Sequence, residues 1–121
     1  MTAKKILVIE DEPVLRKNIL SILSFESYEV FEAEDGLIGV ELARIHLPDL
    51  ILCDIRMPRL DGYEVLLALR NDDRTASIPI VFTTAKANKR DIERGIELGV
   101  NDYLTKPFQI AELLAVIDGH L

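Results

Sequence analysis

The chain has 121 residues, 49% of them hydrophobic and 29% charged, with a formal net charge of −7. That length suits one compact domain spanning residues 1–121, with enough apolar material for a core, and the mixed charges exclude a disordered chain. The acidic balance argues against nucleic-acid binding by this chain alone, which rests on Lys and Arg neutralising phosphates, and a lone Cys53 excludes an internal disulfide and a thiolate zinc site.

In chain order, Lys5–Ile9 is a short apolar run rich in β-branched residues, as in a buried strand. Pro13 then stands at a natural first helical position, and Leu15, Ile19, Ile22 and Leu23 recur at helical spacing. Residues 28–31 read as a short strand, and residues 36–45 as a helix that stops before Pro48. Residues 49–53 are a second apolar strand, followed by a helix over Gly62–Arg70 with Val65, Leu66 and Leu69 on one face. Residues 78–83 form a strand with Pro79 near its start, where a missing donor is tolerated. A helix over Lys89–Leu98 ends at Gly99 as its C′ residue. Residues 101–105 are the last strand. Residues 109–121 are the last helix, turning Ile110, Leu113, Leu114 and Ile117 inward.

Five βα units of this kind imply a doubly wound α/β fold, a parallel sheet covered on both faces. No apolar run approaches the ~20 residues of a spanning helix, and the N-terminus is too brief for a signal peptide. A cytoplasmic chain with no membrane partner is therefore expected.

In an open parallel sheet, ligands lie outside the carboxyl ends of the strands. Those ends carry Glu10-Asp11-Glu12, Asp54-Ile55-Arg56, Thr84 and Lys106-Pro107. Three carboxylates in one pocket repel each other, and a hard divalent cation such as Mg²⁺ relieves them through oxygen ligands. Lys106 adds a compact positive charge and Thr84 a hydroxyl donor. Positioning, a metal and fixed donors are what phosphoryl transfer requires. Asp54 is the candidate nucleophile.

Each residue also has a plainer reading. The acidic run caps the first helix, Asp54 is a turn residue, Thr84 is an N-cap and Lys106 is a loop charge. Their joint occurrence at four strand ends favours the functional reading, because a carboxylate after three apolar strand residues is costly unless paired or used. His46 and His120 are lone residues near helix ends, where a cation suits the helix dipole. Cys53 reads as core packing.

From Lys5 to the last helix, these residues resemble the receiver domain of two-component response regulators. The resemblance implies a flavodoxin-like (βα)5 fold with strand order 2-1-3-4-5. It also implies that Asp54 is the phosphoacceptor, that Asp11, Asp54 and the Arg56 backbone carbonyl hold Mg²⁺ with Glu10 beside them, and that Lys106 pairs with the phosphoryl group. Thr84 and Tyr103 match the switch pair, and Lys106-Pro107 matches a cis peptide, tolerated before proline. Glu10 stands where many members carry aspartate. Arg56 and Lys86 occupy positions that tune acyl-phosphate lifetime.

The implied donor is a histidine kinase or histidine phosphotransfer protein. The implied output face is helix 4, strand 5 and helix 5, toward a downstream effector. Such a chain contributes to its own phosphorylation without being a turnover enzyme. No Lys or Arg follows Lys106, so the charge pattern of one large dimerising subfamily is absent, and Ala111, Ala115 and Val116 suggest a small apolar contact instead. Three rival readings remain: an aspartate-nucleophile phosphatase, which needs an acid where Arg56 stands; a degenerate receiver acting only by interaction; and a flavin carrier, which needs a phosphate-binding loop where the first acids stand.

Overall fold

The apolar runs Lys5–Ile9, Leu50–Asp54 and Ile80–Thr84 form the centre of a parallel sheet because they are buried on both faces, and the segments between strands start and stop at capping residues. The structure, a computed structural model, describes residues 2–85 and 88–121. Its order is β1 (Lys5–Ile9), α1 (Pro13–Phe25), β2 (Glu29–Ala33), α2 (Gly36–His46), β3 (Leu50–Asp54), α3 (Gly62–Arg70), β4 (Ile80–Thr84), α4 (Lys89–Leu98), β5 (Asp102–Thr105) and α5 (Ile110–Gly119). The strands lie parallel in the order β2-β1-β3-β4-β5.

Side chains alternate across the sheet. Leu7, Ile9, Ile51, Cys53 and Phe82 face Val40, Ala43, Val65, Leu66 and Leu69 of α2 and α3. Ile6, Val8, Leu50, Leu52 and Val81 face Ile19, Leu23, Leu113 and Ile117 of α1 and α5. Each such fully buried aliphatic side chain contributes about 1.5–3 kcal/mol, so the sheet is a rigid frame for the loops at its carboxyl edge.

Local chemistry sets the helix ends. The Glu12 carboxylate accepts from the Val14 and Leu15 N–H groups, ahead of Pro13 in the first turn of α1. Asp35 caps α2. Asp61 and Glu64 form a reciprocal capping box at α3. Asn88 caps α4, and Gly99, at φ 96°, ends it in the left-handed conformation that glycine adopts at little cost.

Several boundaries shift by a residue or two from the sequence reading, and some of the differences have a clear local cause. Strand β2 spans Glu29–Ala33, because Ser27 takes φ 69° and the Tyr28 N–H donates to the Leu23 carbonyl, which keeps Tyr28 in the turn that closes α1. Strand β4 starts at Ile80, and Pro79 lies just before it, with its carbonyl accepting from Ile51 N–H. On α5, Leu113 and Ile117 are buried, but Ile110 is 57% exposed. Ile110 opens the helix beside the end of α1, where it lines an apolar groove with Ile22 and Phe25.

Candidate functional site

The sheet register levels the carboxyl ends of the strands. Ile9 pairs with Cys53, Asp54 with Thr83, and Thr84 with Thr105, so the next residues emerge together. Glu10, Asp54 and Thr84 are buried, whereas Asp11 is exposed. Glu10, Asp11 and Asp54 each offer a carboxylate oxygen within 4.8 Å of the others.

Lys106 closes the group. Its Nζ donates to Glu10 Oε1 at 2.7 Å and lies 3.3 Å from Asp54 Oδ1. The second oxygen of Glu10 accepts from the Glu12 N–H at 3.1 Å. The Glu10 carbonyl accepts from Arg16 at 2.8 Å, and the Glu10 N–H donates to the Ala33 carbonyl. Glu10 is thus held on all sides as the partner of Lys106, and Asp11 is the open carboxylate of the cluster. The Lys106–Pro107 peptide is cis.

Burial, and then the Glu10 charge, push Asp54 up from an ordinary value of 3.8 to about 7, against the pull of Lys106. Burial alone would lower Lys106, but its hydrogen bonds and the charges of Glu10 and Asp54 raise it overall. Under the site, burial pushes the Cys53 thiol well above its ordinary range, and its S–H points at the Asp54 carbonyl at 3.3 Å. Cys53 is an inert core residue.

The loop after Asp54 is fixed by backbone chemistry. The Gly62 N–H donates to the Ile55 carbonyl at 2.7 Å. A Cβ on Gly62 would meet the Asp54 carbonyl and the Ile55 Cα, both backbone atoms, so no side chain fits there. Arg56 is exposed and lines a cleft of about 350 Å³ with Met57, Asp61, Tyr63, Thr84 and Arg94. Lys86 lies outside the described residues.

Tyr103 points inward, edge-on to Phe82, and its hydroxyl donates to the Asp91 carbonyl at 2.8 Å. Burial, then the neighbouring Tyr63 and Asp91, push it up to about 12. His46 stacks on Phe31 in the last turn of α2, and His120 contacts Asp102 at the end of α5.

Sequence reasoning missed Tyr63. It is buried, its ring meets Phe82 edge-on, and Arg94 lies over it at 4.1 Å. Its only signal is a tyrosine on the apolar side of α3, since a buried phenol needs a partner for its O–H.

Comparison with known proteins agrees with this geometry. The family model described as response regulator receiver domain matches residues 6–118. The chain is 41% identical over 111 residues to the DNA-binding dual master transcriptional regulator RpaA of Synechocystis sp., covering 92% of this chain and 46% of that protein. It spans about half the length of such curated relatives. Chemotaxis protein CheY4 of Vibrio cholerae matches with a TM-score of 0.95 at 28% identity, over 99% of this chain and 100% of that one. The receiver domain of a sensor histidine kinase from Pseudomonas aeruginosa, described with a magnesium ion coordinated in its active-site cleft, matches with a TM-score of 0.91 at 36% identity, over 98% of each. By its five-stranded 2-1-3-4-5 sheet and these matches, the chain belongs to the response regulator receiver domain family, the signalling domains of two-component systems.

Proposed function

We propose that this receiver accepts a phosphoryl group from a phosphohistidine onto Asp54 and signals by a change of shape. The observation that carries the reading is the cluster itself. Three carboxylates lie within 4.8 Å, and the Lys106 ammonium lies 3.3 Å from the Asp54 oxygen.

The donor set is hard oxygen only, which fits Mg²⁺ and not a soft metal. Asp11, Asp54 and the Arg56 backbone carbonyl would hold the ion, with Glu10 beside them. When bound, the ion neutralises the carboxylates and offsets charge on the transferred oxygens.

An Asp54 carboxylate oxygen attacks phosphorus, and an O–P bond forms as the N–P bond of the donor breaks. The N–P electron pair returns to the imidazole nitrogen, and the ring takes one proton. Lys106 and Thr84 donate to the phosphoryl oxygens in place of water. Attack of water on the acyl phosphate later releases inorganic phosphate and restores the carboxylate. While the acyl phosphate lasts, Tyr103 and Thr84 act as the switch, with Thr84 drawn to the new oxygens and Tyr103 repacking beside it.

The donor is a histidine kinase or a histidine phosphotransfer protein. The output is a downstream effector reached through α4, β5 and α5. The chain signals and is not a turnover enzyme. Among the described residues no helix is long and apolar enough to cross a membrane, and a cytoplasmic setting is proposed. Ala111 and Ala115 are exposed on α5 while Val116 is half-buried, which leaves a small apolar area for that partner.

Fluorine NMR with beryllofluoride tests the reading, because this group mimics a phosphoryl group on a carboxylate. A bound fluoride signal should require Mg²⁺ and vanish in Asp54→Asn. A signal that persists in Asp54→Asn would overturn it.

A further inference from the structure

Helix α4 is anchored unlike the other helices. Its only fully buried residue is Gly95; Leu98 packs half-buried against the core, and polar contacts at the two ends supply much of the rest of its attachment. At the rear, the Arg70 guanidinium donates to the Gly99 carbonyl at 3.0 Å, to the Ile78 carbonyl at 2.8 Å and to Asn101 Oδ1 at 2.8 Å. That fork ties the end of α4 to the starts of β4 and β5.

At the front, two phenol hydroxyls converge on one oxygen, and the Tyr103 hydroxyl also lies 3.3 Å from the Ile92 carbonyl. The Asp91 carbonyl, in the first turn of α4, accepts from the Tyr103 hydroxyl at 2.8 Å and from the Tyr63 hydroxyl at 3.2 Å. The two phenols arrive from different elements, β5 and α3. Both rings meet Phe82 of β4 edge-on, at centroid distances of 5.5 Å for Tyr63 and 5.7 Å for Tyr103. Gly95 leaves room for this approach, since a Cβ there would collide with the Tyr103 hydroxyl. Arg94, one turn along α4 from Asp91, lies over the Tyr63 ring at 4.1 Å.

We infer that Tyr63 is a second positioning residue of the switch: its hydroxyl and that of Tyr103 form a double latch on the Asp91 carbonyl, holding the front of α4 to α3 as well as to β5. Its signalling consequence rests on the receiver reading given above; the latch itself belongs to the unmodified protein. Tyr63 follows Gly62, whose N–H is bonded to the carbonyl of Ile55 beside Asp54. A shift of the loop after Asp54 therefore reaches α4 through Tyr63 without passing through Thr84. With its rear fixed by Arg70 and its front held by two phenols, α4 is built to pivot about Gly99 when the latch opens.

Both hydroxyls converge on the same carbonyl oxygen, one from α3 and the other from β5. Losing one phenol leaves the other in place, so the two hydroxyls back each other up and their removal is not additive. Tyr63→Phe keeps the ring against Phe82 and under Arg94, and deletes only the latch.

Amide hydrogen exchange of residues 89–95 in the unmodified protein tests this, comparing wild type, Tyr63→Phe, Tyr103→Phe and the double variant. Each single change should speed exchange there about two- to fivefold. The double variant should exceed the product of the two, with β1 and β3 protection unchanged. A Tyr63→Phe protein that exchanges like wild type, with a double variant no faster than Tyr103→Phe, would overturn the latch. Because the protein carries no phosphoryl group, this outcome is independent of Asp54. Failure of Asp54 to take a beryllofluoride group would sink the receiver chemistry and leave the latch standing.

Discussion

Lys106 Nζ donates to Glu10 Oε1 across 2.7 Å, joining the end of β5 to the end of β1. The Lys106–Asp54 contact is longer, at 3.3 Å. Glu10 is nearly fully buried and also accepts from the Glu12 N–H, so Lys106 serves first as the counter-charge of a buried carboxylate. Under the proposed chemistry, a turn of Lys106 toward a phosphoryl group on Asp54 would be a change of partner.

Removing that ammonium leaves Glu10 and Asp54 facing each other without a cation. Lys106→Met should cost about 2–4 kcal/mol in urea unfolding at neutral pH, since breaking a buried pair strands a charge. Glu10→Gln should cost less, because the amide oxygen still accepts from Lys106. Equal costs would show that the ion pair does not organise the site.

The raised Asp54 value gives a definite pH dependence without metal. Its folded value of about 7 lies above the ordinary 3.8, so between these values the folded protein holds more protons than the unfolded chain. Stability should then fall as pH rises through that window and level off above it. The rise of roughly three units corresponds to a full effect of about 4 kcal/mol before solvent screening, at about 1.4 kcal/mol per pKa unit. Urea unfolding in chelator at pH 5, 6, 7 and 8 reads the slope, and Asp54→Asn should flatten it. Stability that climbs over the same range would contradict the assignment of burial and Glu10 as the causes.

Asp11 is the exposed member of the cluster. Asp11→Asn should therefore leave metal-free stability within about 0.5 kcal/mol. It should also weaken Mg²⁺ binding at least about tenfold, read by calorimetry and by the loss of Mg²⁺-dependent gain in Tm. Unchanged Mg²⁺ affinity would remove Asp11 from the ligand set.

Gly95 is the empty space into which Tyr103 points. Gly95→Ala should expel the phenol and break its bonds to α4, despite the better helix propensity of alanine. In a spectrophotometric tyrosine titration, the group near 12 should move toward the ordinary 10.0. A titration curve identical to wild type would show that α4 gives way instead.

Much of this was legible in the chain. Apolar runs that end in Glu10, Asp54, Thr84 and Lys106 announce a parallel sheet with chemistry at its carboxyl edge, because a buried strand tolerates acids only where it leaves the core. The β2 boundary was not, since it depends on Ser27 at positive φ and on a backbone bond from Tyr28 to Leu23. Ile110 has an inward spacing and an outward position, because helical period says nothing of where the neighbouring helix ends. The Glu10–Lys106 pair joins residues 96 apart in sequence, and the meeting of Tyr63 with Tyr103 on one carbonyl depends on the packing of three elements. Local pattern carries neither.

The central claim is that Asp54 takes the phosphoryl group, and intact-mass spectrometry after incubation with acetyl phosphate tests it most directly. The account predicts a mass gain of one phosphoryl group in the presence of Mg²⁺, none without it, and none in Asp54→Asn. The same gain in Asp54→Asn, or no gain under any condition, would contradict it.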